Sequence, residues 1–250
     1  MKNLTETDNA KNIANFNELV SNIVTYGDRY FPSKDTIKLI NLQALSEKAD
    51  DAMKKVNSTL AVFRVASVAR GLYFEPLNSL TSRVLITLRA AATSGNIIDS
   101  AKIIIRKIHG QRQPATTKKA AHQLNKINNE VTASYNISTS QINYNSRLEY
   151  FEKLIQLLET IPNYSPTQDD IKASSLRTLL NAIKIKNDAA GVAEEALINA
   201  RISRNELLYK PGTGMYTAAL EIKSYVKSIY GSTSTQYKQI ARLPFKTIAF

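Results

Sequence analysis

SKDTIKLINLQALSEKADDAMKKVNSTLAVFRVASVAR, Ser33–Arg70, contains neither glycine nor proline. It is far longer than any strand. Along it Leu42, Leu45, Ala49, Ala52, Val56, Thr59, Phe63 and Ala66 recur at steps of three and four, the spacing that stacks side chains on one face of an α-helix. The stretch therefore reads as one long amphipathic helix. At about 1.5 Å per residue it would run roughly 55 Å, and its alanines leave room for a neighbouring helix to come close. A second stretch, Ala115–Ile161, is equally free of helix breakers, and nowhere does a period of two persist long enough for a convincing sheet. The expected fold class is all-α.

The long helix is introduced by YFPSKDTIK (Tyr30–Lys38), and the chain repeats this introduction 134 residues later as YSPTQDDIK (Tyr164–Lys172). Tyr, Pro, Asp, Ile and Lys are identical. Pro32 and Pro166 push the residue before them out of helical geometry, and Ser33 and Thr167 are hydroxyl residues of the kind that accept a hydrogen bond from an unpaired first-turn N–H. They are expected to be N-caps. Asp35 and Asp169 then fall in the first turn, each able to pair with the lysine three residues on, Lys38 or Lys172. Tyr30 and Tyr164 are expected to pack on the helix they introduce.

The parallel continues outward. Phe16 in FNELVSNI answers Phe151 in FEKLIQLL at an offset of 135, Leu42 and Leu45 answer Leu176 and Leu179, and Arg70 answers Arg204. FEP at Phe74–Pro76 answers YKP at Tyr209–Pro211, and Lys102 and Arg106 answer Lys238 and Arg242 after a one-residue shift. Register kept over this distance points to tandem duplication of one helical unit. The expected architecture is two related helical-bundle units with long antiparallel helices, residues 1–110 and 111–250. A connecting helix is expected from Thr116, with the polar run NISTSQINYN as its expected break. Whether the units have separate cores or share one is left open.

The stretch ISTSQINYNSRLEYFEKLIQLLETIPNYSPTQDDIKASSLRTLL, with NARISRNELLY and ALEIKSYVKSIYGSTSTQYKQI, resembles a poorly characterised bacterial family of all-helical proteins that carry such units in tandem. The resemblance implies the helical fold and the repetition. It assigns no catalytic or binding residue. The first half departs from it, with YFEPLNSL where the second has LLYKPGTGM.

Little in the sequence carries chemistry. There is no cysteine, which excludes disulfides, thiolate metal sites and cysteine nucleophiles. With 43% apolar and 22% charged residues the composition is that of an ordinary folded protein. No window reaches the apolar length of a membrane span, and MKNLTETDNAKNIANF lacks the apolar core of a secretory signal, so a cytoplasmic chain is expected. His109 and His122, thirteen apart with no carboxylate between, lack the spacing of metal ligands and are read as two solvated histidines. Asp50–Asp51, Asp169–Asp170 and Glu194–Glu195 are sequence neighbours and diverge by about 100° on a helix, which suits solvated faces better than an acid–base pair. GTG at Gly212–Gly214 lacks the Lys-Ser/Thr of a phosphate loop, and no nucleophile elbow is present. No catalytic residue, metal or cofactor is expected.

Charge is the remaining lead. Thirty-three basic residues against 21 acidic give +12, and half of that excess lies in Ala101–Ala120, where Lys102, Arg106, Lys107, Arg112, Lys118 and Lys119 face no acid in sequence. Tyr225, Tyr230 and Tyr237 beside Lys223, Lys227, Lys238, Arg242 and Lys246 form a second aromatic and basic region, read first as packing. The expected function is a non-enzymatic structural or protein-interaction part, a scaffold or adaptor. The alternative is non-specific binding of a nucleic acid or other polyanion through the basic patches, with Lys102, Arg106, Lys107, Arg112, Lys118 and Lys119 as its contacts.

Overall fold

The computed structural model describes residues 5–91, 93–110 and 139–247. Among them every regular element is helical and none is a strand. Helix α1 (Glu6–Val24) opens with a capping box: the Asp8 N–H donates to Thr5 Oγ1 at 3.1 Å and the Thr5 N–H donates to Asp8 Oδ2 at 3.2 Å. The breaker-free stretch forms α2 (Leu39–Phe74), followed by α3 (Leu77–Ala90) and α4 (Gly95–Ile108). Further on come α5 (Thr139–Glu159), the long α6 (Ala173–Tyr209), α7 (Met215–Tyr230) and the short α8 (Thr235–Ala241). The expected course of a connecting helix from Thr116 lies outside the described residues as far as 138. From Thr139 the run NISTSQINYN is continuous helix, so no break occurs in that part of it. No helix among the described residues is long and apolar enough to cross a membrane.

Ser33 and Thr167 are not N-caps, contrary to the reading of the repeated motif. Each motif folds instead as a 3-10 turn, Asp35–Ile37 and Asp169–Ile171, preceded by Lys34 and Gln168 with no side-chain cap. Lys38 and Lys172 are extended, and the α-helix begins only after them. What holds the turn is its ends. The Tyr30 hydroxyl donates to the Ile37 carbonyl at 2.7 Å, and the Tyr164 hydroxyl donates to the Ile171 carbonyl at the same distance. Ile37 and Ile171 are buried beneath, while Lys38 pairs with Asp35 at 2.5 Å and Lys172 with Asp169 at 2.6 Å on the outside.

Two compact units form, and neither coincides with the N-terminal or the C-terminal half of the chain. One joins Met1–Val62 to Glu194–Phe250; the other is Phe63–Ala193. The boundary expected at residue 110 therefore does not divide them. The reason is which apolar stripes meet. In the first unit Phe16, Leu19 and Ile23 of α1 are buried with Leu208 of α6 and with Met215, Ala219, Ile222 and Val226 of α7. In the second, Phe151, Leu154 and Leu158 of α5 are buried with Phe74, with Leu77, Val84 and Leu88 of α3, and with Ile105 and Ile108 of α4. No proline interrupts α2 or α6, and α6 runs helical through its one glycine, Gly191, so each helix serves one unit with its first part and the other with its last.

The two turns dock in corresponding ways. Asp35–Ile37 packs on α7, where Lys34 pairs with Glu221 at 2.5 Å. Asp169–Ile171 packs on α3, where Arg83 forms a two-pronged ion pair with Asp170. Each motif is thus the place where one half of the sequence fastens to a helix of the other.

Candidate functional site

In the second unit α3 and α4 lie against each other, anchored by Leu77, Thr81, Val84 and Leu88 on one side and Ala101, Ile105 and Ile108 on the other. Ile105 itself and residues one or two positions from the other anchors line an open cleft of about 470 Å³. Ser82, Leu85, Ile86 and Arg89 come from α3, and Lys102, Ile105 and Arg106 from α4 with His109 capping its end, in both cases at the i, i+3, i+4, i+7 spacing that gathers side chains on one helical face. Three of these residues are cations and none is an acid.

Lys102 is the cation with a neighbouring counter-charge. Its ammonium lies 2.7 Å from Asp99, which holds that carboxyl below the usual carboxylate range, chiefly by the hydrogen bond. Arg89 and Arg106 are exposed, and no carboxylate among the described residues reaches either. Each stands in the last turn of its helix, where a positive charge complements the unpaired carbonyls.

His109 closes one end, and it is not a solvated histidine. Thr81, fully buried, donates its hydroxyl proton to the Leu77 carbonyl at 2.7 Å, so the imidazole Nε2, 2.9 Å from Thr81 Oγ1, is the donor in their contact. Burial pushes the imidazole below its ordinary pKa, opposed by a hydrogen bond to the Asn78 backbone and aided by the charge of Arg147. At neutral pH the cleft owes its charge to Arg89, Lys102 and Arg106 alone.

Of the six candidate polyanion contacts, the structure brings Lys102 and Arg106 together and separates Lys107. At i+5 from Lys102, Lys107 leaves on another face of α4, and its ammonium sits 5.5 Å from the centroid of the Tyr150 ring on α5. Arg112, Lys118 and Lys119 lie outside the described residues. Arg89 was missed in the sequence because it stands alone in LITLRAAAT; only its i+7 relation to Ser82 hints at a shared face.

Much of the second basic region is engaged in packing and ion pairs. Tyr225 packs edge-on against Tyr30 at 5.3 Å and Tyr230 against Tyr26 at 5.4 Å, so neither ring is a free stacking platform. Lys223 donates to the Leu243 carbonyl at 2.5 Å, Lys246 pairs with Asp8 at 2.6 Å, and Arg242 with Glu18 at 3.3 Å. Among the described residues no three of His, Cys, Asp and Glu are grouped to hold a metal.

Fold and cleft together define a class, an all-α basic protein with an acid-free groove between two helices. No protein-family model, curated protein or solved structure matches the chain.

Proposed function

We propose that this is a non-enzymatic binding protein that takes the phosphate backbone of a nucleic acid into the α3–α4 cleft. One observation carries the reading: Arg89, Lys102 and Arg106 converge on a groove without a single acidic lining residue. Arginine and lysine held this way neutralise phosphates and release their counterions, which favours association without reading sequence. Absence of stacking rings from the groove argues for backbone contact rather than base recognition.

The test is anisotropy of a labelled single-stranded oligonucleotide over a salt series. Three phosphates neutralised predict that log K falls against log salt with a slope of about −2. Replacing Arg89, Lys102 and Arg106 together by Gln abolishes the binding, whereas Lys107→Gln leaves it. Binding that ignores salt, or that survives the triple change, refutes the proposal.

A second reading, a scaffold for a protein partner, is favoured by Val65, Val68 and Leu72 of α2, which are 73%, 64% and 62% exposed at spacings of three and four. Charging Val68 would then disrupt partner capture while leaving the oligonucleotide untouched. In either reading the architecture is that of two units derived from a duplicated sequence, kin to the bacterial all-helical family that the second half resembles. The paired Tyr–Ile bonds and the corresponding turn docking support that descent.

A further inference from the structure

After α8 the chain leaves the helical path and crosses α1 and α7 as a strap, Leu243 to Lys246. Side chains of those two helices take hold of its backbone. Lys223 of α7 donates to the Leu243 carbonyl at 2.5 Å, Asn15 of α1 to the Pro244 carbonyl at 2.6 Å, and Asn12 of α1 to the Lys246 carbonyl at 2.7 Å. The Lys246 N–H donates back to Asn12 Oδ1 at 3.0 Å, so one asparagine grips both polar groups of one peptide residue. Two contacts involve the strap's side chains. The Lys246 ammonium pairs with Asp8 at 2.6 Å, and the Phe245 ring centroid lies 5.0 Å from the Lys223 ammonium.

Asn12 is 2% exposed, and a buried amide is costly unless both its ends are bonded. Its Nδ2 also donates to the buried Tyr209 hydroxyl at 2.9 Å, which in turn donates to Asn9 Oδ1 at 2.6 Å. This network fixes the amide with its oxygen turned to the strap. Without the strap, Asn12 Oδ1 has no other partner among the described residues. The second unit builds its core without such amides. By the offset of 135 that relates Phe16 to Phe151, Arg147 stands at the place of Asn12 and Tyr150 at that of Asn15. Arg147 Nε donates to the Ile108 carbonyl at the end of α4, at 2.8 Å, and Tyr150 lies beside Lys107 and Lys153. Asn12 and Asn15 therefore serve the extended segment and not the bundle as such.

We infer that this face of α1 and α7 is a docking site for an extended peptide with a proline–aromatic–lysine segment, filled here by the chain's own strap and open to a partner polypeptide when the strap lifts. The space for the ligand is the space that Pro244, Phe245 and Lys246 occupy. Proline holds such a segment extended with its carbonyls outward, which suits donors spaced along two helices. Asp8 selects the lysine. The tethered strap competes at high effective concentration, so the free chain holds its own site closed. The site is separate from the α3–α4 cleft and does not rest on the nucleic-acid reading.

The probe is a fluorescent peptide copying Arg242–Thr247, titrated into the full chain by anisotropy. Phe245→Ala with Lys246→Ala loosens the strap and leaves its seat intact, so this variant binds the peptide about tenfold or more tightly than the native chain does. Replacing the peptide's lysine by alanine weakens that binding, and so does Asn15→Ala added to the loosened chain. If the loosened chain does not fold, hydrogen exchange of the native chain serves: excess peptide speeds exchange of the Lys246 N–H, which Asn12 protects, and leaves the core of α7 unchanged. A peptide that binds neither chain, or both equally, overturns the inference. So does binding matched by a scrambled peptide or indifferent to Asn15→Ala, or a Lys246 N–H whose exchange the peptide does not change.

Discussion

The Tyr30 hydroxyl reaches seven residues along the chain to donate to the Ile37 carbonyl at 2.7 Å, clasping the turn that precedes the first long helix. Tyr30→Phe removes the donor and leaves a buried carbonyl unpaired, so unfolding free energy should fall by about 1–2 kcal/mol; Tyr164→Phe, at a less buried site, should cost about 1 kcal/mol. Urea titrations measure both. Burial raises the pKa of both phenols, that of Tyr164 to about 12 and that of Tyr30 further. Their folded pKa values exceed the ordinary phenol pKa of about 10, so this contribution is complete below that pH and is lost as pH rises through the folded values.

Phe16 and Phe151 are both wholly buried, in different cores. Each Phe→Ala change should cost about 3–5 kcal/mol. Hydrogen exchange separates their effects: Phe16→Ala should speed exchange in α7 and α8, and Phe151→Ala in α3 and α4. If Phe16→Ala instead loosened α3 and α4 first, the described assembly of the units would be wrong.

Gly214 precedes α7 in a tight approach to the end of α6. A Cβ there would stand 2.7 Å from Lys210 N and 2.8 Å from its carbonyl oxygen, both backbone atoms that cannot swing aside. Gly214→Ala should therefore lower stability by about 1–3 kcal/mol, the cost of overpacking. Gly95→Ala, with open space around it, is the control and should leave the thermal midpoint unmoved or slightly raised.

His109 is held neutral beside Thr81, below its ordinary pKa. The unfolded chain then takes up a proton that the folded chain refuses. Stability tied to this histidine is complete above about pH 6.5 and is lost as pH falls from there through the folded value. Thermal midpoints measured from about pH 7.5 down to 5 should decline more steeply for the native sequence than for His109→Gln. Equal slopes would show that the imidazole titrates freely.

Helix content was legible because Ser33–Arg70 states a period and lacks a breaker, and both properties act locally. The Asp35–Lys38 and Asp169–Lys172 pairs were legible for the same reason, being one helical turn apart. The caps were misread because the Tyr30 and Tyr164 hydroxyls bond the carbonyls of the buried Ile37 and Ile171 across a 3-10 turn, a contact that helix-cap reasoning does not weigh. At the cleft, Lys102 and Arg106 announced themselves as a basic run. Arg89 did not, since its relation to them exists only once α3 and α4 pack.

Residue order alone determined that the described residues are helical, that most of Ser33–Arg70 is one long helix, and that Tyr30–Lys38 and Tyr164–Lys172 would fold alike, because periodicity and breakers act through the nearest turns of backbone. Only the tertiary structure decided that α1 is covered by α7 rather than α3, that Arg89 joins Lys102 and Arg106, and that Arg70 is buried without, among the described residues, the ion-pair partner Arg204 has in Glu6. An apolar stripe accepts any complementary stripe. Which one it meets depends on the packing of the whole chain, not on anything the stripe itself encodes.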